Sequence, residues 1–151
     1  MGAESSVWYG AVVRGDMAPI VVGSHTNLQD GTIVHVDEGV PCHVGSKVGV
    51  GHRVILHGCT VEDDCLIGMG SVLLNNVRVA RGSVVAAGAV LPEGMEVPEG
   101  SLIMGVPARV VRAVDERLAR RIEGTWSHYV EQARAHRAGR FPLHGGSGSR
   151  A

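Results

Sequence analysis

The stretch Val61 to Gly105, VEDDCLIGMGSVLLNNVRVARGSVVAAGAVLPEGMEVPEGSLIMG, places an aliphatic residue at every sixth position: Val61, Ile67, Leu73, Val79, Val85, Leu91, Val97 and Ile103. Val, Ile and Leu make up about a quarter of the chain, so such a run arises by chance on the order of once in ten thousand. A second column, four positions on, reads Cys65, Ser71, Val77, Ser83, Ala89, Met95, Ser101 and Pro107, mostly small residues. A period of six is not helical, because 3.6 residues per turn would carry the column steadily around the axis. Six residues are one short strand and a turn. Three such units close a triangular coil, and coils stack at ~4.8 Å by parallel strand pairing. The spacing predicts an all-β fold, a parallel β-helix prism of hexapeptide repeats.

Composition agrees with a narrow, repetitive interior. The 151 residues suit a single domain; they are 44% hydrophobic but only 3% aromatic, with 22 glycines. A bore one side chain wide takes Val, Ile and Leu on its flat faces and Gly, Ala or Ser near its corners, and has little room for rings. A formal net charge of −1 with 19% charged residues argues against nucleic acid as a partner. Apolar runs of about four residues are far short of a membrane span, and MGAESSVWYG lacks the basic start and apolar core of a signal peptide. The expectation is a cytoplasmic protein with no membrane partner.

Upstream, the register continues through Val7, Val13, Val22, Leu28, Ile33, Val44, Val50 and Ile55. The long steps from Val13 to Val22 and from Ile33 to Val44 mark loops leaving the corners, Gly15 to Pro19 and Asp37 to Pro41. The eleven-residue step reads as one hexapeptide plus a five-residue loop. Past Pro107 the character changes: Leu118, Ile122, Trp126, Tyr129, Val130 and Ala133 recur at helical spacing, with Asp115 as N-cap and Glu116 in the first turn. The chain divides into a prism over 1–112, a helix over 113–138 packed on it, and a disordered tail over 139–151. Cys42, Cys59 and Cys65 form neither an even disulfide set nor a CxxC pair and read as small buried or half-buried thiols.

Three histidines share a phase in this register: His35 two after Ile33, His52 two after Val50, His57 two after Ile55. His35 and His57 then fall on the same face of adjacent coils, and His52 one face earlier. Imidazoles one coil apart can converge on one metal, and a third from a neighbouring prism in a three-fold trimer would complete a set of three. Three histidines with an open fourth position is the catalytic zinc arrangement, in which bound water ionises near pH 7. The simpler alternative is that each histidine only occupies a solvent-facing position, as His25, His43, His136 and His144 do in this reading.

WYGAVVRGD (Trp8 to Asp16), TNLQDG (Thr26 to Gly31), His35 in TIVHVD and VGHRVILHGCTVEDDCLIGMGS (Val50 to Ser71) together resemble the γ-class carbonic anhydrase-like family. The likeness runs to about residue 138; the downstream hexapeptides and GVPARVV (Gly105 to Val111) are shared with acyltransferases of the same fold. The resemblance implies the left-handed form of the β-helix, a homotrimer with sites at subunit interfaces, and reversible hydration of CO2 to bicarbonate. It implies that His35 and His57 of one subunit and His52 of its neighbour hold zinc, with iron(II) or cobalt(II) as alternatives. Gln29 matches a residue that hydrogen-bonds the metal-bound water, and Arg14 and Asp30 an intersubunit ion pair with Asp16 nearby; a corner-loop bridge between Arg14 and Asp16 is the local alternative. Tyr129 resembles a helix tyrosine that approaches the metal pocket. Only Asp37 and Glu38 follow His35, with no long acidic insertion, so the chain resembles the shorter subclass. Relatives usually carry a further coil before WYGAVVRGD, which leads us to expect an incomplete first coil. Two other functions fit the repeat: a coenzyme A-dependent acyltransferase with a single histidine base, and an anhydrase-like metal-binding protein with little hydration activity.

Overall fold

The computed structural model describes residues 1–141. Five coils of three short strands follow one another. They are β1 (Ser6–Val7), β2 (Val12–Arg14) and β3 (Ile20–Val22); β4 (Asn27–Leu28), β5 (Ile33–His35) and β6 (Cys42–Val44); and β7 (Gly49–Val50), β8 (Ile55–His57) and β9 (Thr60–Val61). The fourth and fifth coils are β10 (Leu66–Ile67), β11 (Val72–Leu73) and β12 (Arg78–Val79), then β13 (Val84–Val85), β14 (Val90–Leu91) and β15 (Glu96–Val97). A hairpin of β16 (Ser101–Gly105) and β17 (Ala108–Ala113) and a helix α1 (Glu116–Arg137) follow. Every third strand pairs in parallel, giving the face orders β1-β4-β7-β10-β13-β16-β17, β2-β5-β8-β11-β14 and β3-β6-β9-β12-β15. The fold is the left-handed parallel β-helix of hexapeptide repeats with one C-terminal helix.

The column from Val61 to Ile103 lines the bore and is buried throughout, as is the small-residue column from Cys65 to Ser101 apart from the half-buried Met95. Immediately before each small residue the backbone turns a corner in the left-handed region, at Asp64, Gly70, Asn76, Gly82, Gly88, Gly94 and Gly100. Glycine or a short polar residue meets that demand at least steric cost. The second column ends at Ser101: Pro107 is exposed in the hairpin turn, and the chain runs back antiparallel to β16 instead of adding another parallel strand.

The upstream phase differs from the sequence reading at two points. Ile33 is 43% exposed and Ile55 half-buried, while Val34 and Leu56 are 0% exposed and pair in register with each other and with Leu73. Both are apolar doublets, so alternation alone permits either member to face inward. Parallel pairing decides between them. The loop after His35 therefore adds four residues, Val34 to Val44 being a step of ten, and the coil is one residue short between Leu56 and Val61. Val7 and Val13 keep the inward register but are 44% and 45% exposed, because the first coil ends the prism.

Asp115 caps α1, its Oδ1 accepting from the Leu118 N–H at 2.9 Å. The helix lies along the first face. Leu118 and Ile122 pack with Val84 and Leu102, Thr125 closes on Gly49, and near its far end Arg134 pairs with Glu4 and His136 packs on Trp8. Phe141, the last described residue of the expected tail, lies against His136; residues 142–151 of that tail are outside the described residues. No described helix is long and apolar enough to cross a membrane.

Two outcomes test this packing. Gly68→Ala would drive a Cβ into the backbone of Ala86 and Ala87, whereas Gly88→Ala meets no atom and only strains a positive φ. In urea denaturation Gly88→Ala costs about 1–2 kcal/mol and Gly68→Ala more. Burial pushes the Cys65 thiol up to about 12 from an ordinary value near 9. Between those values the unfolded thiol ionises while the folded one stays neutral, so this contribution to stability is complete below about pH 9 and is lost as pH rises toward 12. Cys65 therefore resists a thiol reagent at pH 8 until urea unfolds the chain, as peptide mapping of the labelled cysteines will show.

Candidate metal centre

Arg14, His35 and His57 are the last residues of β2, β5 and β8, and stack as one column across three coils. Each follows an inward residue, Val13, Val34 or Leu56, so each points out of the prism where the second face turns into the third. Nδ1 of His35 faces Nε2 of His57 at 3.1 Å. Nε2 of His35 lies 3.3 Å from Asp16 Oδ1, while the Arg14 guanidinium donates to Asp16 Oδ2. That hydrogen bond holds the Asp16 carboxyl below the usual carboxylate range. Nδ1 of His57 is 2.8 Å from Asn75 Oδ1, and Asn75 Nδ2 donates to Asp37 Oδ2, also at 2.8 Å. Asp37 Oδ1 is 3.9 Å from His57 Nε2.

A second group gathers at the opposite edge of the same face. His52, in the turn before β8, stacks over Asp30 of the preceding coil, with Nδ1 3.0 Å from Asp30 Oδ2. Gln29 is buried and donates from Nε2 to Asn27 Oδ1 at 3.0 Å. Tyr129 reaches the same place from α1, its ring edge against Trp8; burial, with the Asp30 charge second, pushes its hydroxyl pKa up. Gln29, His52 and Tyr129 share the wall of a groove of about 600 Å³ between the prism and α1, with Met69, Leu118 and Arg121 further along it.

One chain thus holds two half-sites. His35, His57, Arg14 and Asp16 meet at one edge; His52, Asp30, Gln29 and Tyr129 meet at the other. Within the chain Arg14 pairs with Asp16 and Asp30 with His52, so Arg14 and Asp30 are not partners of each other there. The three histidines do not share a phase: His52 stands two residues after inward Val50, His35 and His57 one after inward Val34 and Leu56. The pairing of His35 with His57 survives this correction because both were displaced by the same single residue.

Two further residues escaped the sequence reading. Asn27 is buried beside Gln29, and its Nδ2 is the one fully buried side-chain nitrogen or oxygen without a partner among the described residues. The signal was available, since Asn27 and Gln29 flank the inward Leu28 and must share the outward side. Asn75 lies eighteen residues, one coil, after His57, and stepping by a coil from each histidine would have found it.

The first half-site fits a divalent metal. Two nitrogen ligands at 2.0–2.1 Å and tetrahedral angles stand ~3.3 Å apart, and His35 Nδ1 and His57 Nε2 stand at 3.1 Å. Ligand atoms of His35, Asp37 and His57 all lie within 4.8 Å of one another. Imidazole nitrogen with carboxylate oxygen suits zinc and other first-row metals better than calcium or magnesium.

The chain is similar to known proteins over most of its length. A family model described as bacterial transferase hexapeptide, six repeats, matches residues 58–93. The chain is 44% identical over 138 residues to a carbonic anhydrase of Geobacillus kaustophilus, covering 91% of this chain and 76% of that one. It is 40% identical to the mitochondrial γ carbonic anhydrase 2 of Arabidopsis thaliana over 90% of this chain, but spans only 51% of that protein's length. The crystal structure of a hexapeptide transferase family protein from Anaplasma phagocytophilum superposes with a TM-score of 0.86 at 36% identity, covering 90% of this chain and 80% of that one. By these likenesses over nine-tenths of its length, the chain belongs to the γ-class carbonic anhydrase-like family of hexapeptide-repeat proteins.

Proposed function

We propose that the protein is a zinc-dependent carbonic anhydrase that works as a homotrimer and hydrates CO2 reversibly to bicarbonate and a proton. The observation that carries this reading is the face-to-face pair of ring nitrogens on His35 and His57, spaced for one tetrahedral metal. His52 of a neighbouring subunit supplies the third ligand, since within its own chain it stands at the other edge of the face; iron(II) or cobalt(II) would take the same ligands. When bound, the metal supplies the acidity that makes water a nucleophile near neutral pH.

The remaining work falls to the side chains. Gln29 commits its Nε2–H to Asn27, which leaves Oε1 free to accept a hydrogen bond from the nucleophile and aim it at the carbon of CO2. The released proton meets carboxylates first: Asp16 beside His35, Asp37 beside His57, then Glu38 in the same loop. Across the trimer interface Arg14 of one chain pairs with Asp30 of the next, which fixes how His52 is presented; a charge pair of this kind orients an interface at least as much as it stabilises it. Tyr129 walls the substrate side from α1. The family's shared repeat keeps a coenzyme A-dependent acyltransferase as the second reading, and the matched hexapeptides at residues 58–93 favour it. That chemistry needs one histidine base and leaves the His35–His57 pair without a role. An anhydrase-like protein that binds metal but hydrates CO2 slowly is the remaining alternative.

Metal analysis of the purified protein should give about one metal per chain, lost in His52→Ala while sedimentation still shows the trimer. Stopped-flow assay of anaerobically loaded protein should show CO2 hydration that rises with pH through about 7. Full metal occupancy without hydration would leave a binding role, and a coenzyme A-dependent thermal shift in metal-free protein would favour acyl transfer. Gln29→Ala should lower kcat roughly tenfold to hundredfold with metal content unchanged.

A further inference from the structure

We propose that Asn75, held by Asp37, is a positioning residue that sets the tautomer of His57 and so presents its Nε2 to a metal. The assignment rests on reading His57 as a metal ligand. A carboxylate only accepts hydrogen bonds, so the Asn75 group facing Asp37 Oδ2 at 2.8 Å must be its NH2. The carbonyl Oδ1 is then the atom 2.8 Å from His57 Nδ1, and that nitrogen must carry the hydrogen. Neutral His57 has one ring hydrogen; with it on Nδ1, the lone pair lies on Nε2, facing His35.

Three irregularities of the repeat build this relay. The four-residue insertion after His35 carries Asp37 back over the prism, closed by a bridge between Asp37 and Val40. The coil of His57 is one residue short at the corner after β8: Leu56 to Thr60 is a step of four against five from Leu73 to Arg78 in the next coil, and Asn75 lies in that longer corner. Gly58 fills that corner at φ 56°, and a Cβ there would collide with Asn75 Oδ1 and with Val40 Cγ1. A bare corner, a shortened coil and a loop folded back converge on one amide, which touches the ligand and none of the reacting atoms. His52 is oriented differently, by direct contact with the Asp30 carboxylate. The amide interposed at His57 transmits the orientation of Asp37 while keeping its full charge off the ring.

The test is zinc affinity of the full-length protein, measured by competition with a chromophoric chelator, beside 15N NMR of the His57 ring without metal. Asn75→Leu, close in volume and unable to accept, should weaken zinc roughly 10- to 100-fold and mix the two His57 tautomers. Asp37→Asn combined with Asn75→Asp reverses which residue carries the charge but keeps an acceptor at His57 and a donor between the two residues; it should return the His57 hydrogen to Nδ1 in the 15N spectrum, the hydrogen-bond polarity being restored. Unchanged zinc affinity in Asn75→Leu, a double variant whose His57 tautomers stay mixed, or a parent His57 with its hydrogen on Nε2 would each overturn the proposal. His57→Ala separates the two failures. If it loses zinc while Asn75→Leu does not, the positioning role alone is wrong; if it keeps zinc, the metal reading of His57 falls and the tautomer measurement still decides the hydrogen bond.

Discussion

Main-chain hydrogen bonds between parallel strands of two or three residues tie each coil of this prism to the next. Such short strands are marginal alone, so the structure depends on their stacking in register around a shared bore. That one constraint dictates the rest. It selects Val, Ile and Leu for the inward column, since a triangular interior one side chain wide excludes rings. It favours glycine at the corners, since the backbone must turn through the left-handed region in almost every hexapeptide, although Glu4, His25, Lys47 and Arg53 take that conformation in the early coils. It also fixes outward side chains in vertical columns about one strand spacing apart.

Those columns turn a structural repeat into a chemical one. Arg14, His35 and His57 come from three separate coils, yet pairing sets them one above another without any loop having to be shaped to bring them together. Side chains mounted on strands are held by the whole stack, the kind of support the proposed metal site would need. The departures from the repeat supply what regular coils cannot: the Gly15 to Pro19 loop brings Asp16 to His35, the loop after His35 brings Asp37 to Asn75, and the short corner at Gly58 opens the way between Asn75 and His57.

The edges of one face divide the candidate site. His52 lies in the turn before β8 and His57 ends that strand, so a single chain presents two incomplete halves at opposite edges of the face. Partners that would complete each half are already occupied locally, Arg14 with Asp16 and Asp30 with His52. Association of three chains, in the proposed reading, exchanges part of these local contacts for contacts between chains, and the exposed carboxylates and guanidinium make that exchange inexpensive.

Much of this was legible in the residues themselves. The six-residue period named the fold because a buried bore admits one residue per face and the same residue type each time, from Val61 to Ile103 without a break. The same spacing brought His35 and His57 together, since the distance between them does not change when both shift by one. It could not choose between Ile33 and Val34, or between Ile55 and Leu56, because both members of each doublet are apolar and only strand pairing distinguishes inside from outside. It therefore assigned His35 and His57 a phase one residue off, which made them share that of His52, and it missed the short corner at Gly58. Asn75 sits a nominal eighteen-residue coil after His57 and could be found by that step, but that the two side chains meet depends on a corner shortened by one residue, which the period does not reveal. Local chemistry and period determined what the chain is; the register of stacked coils decided which side chains meet, because hydrogen bonds between strands remote in sequence count residues that a one-dimensional pattern leaves free to slip.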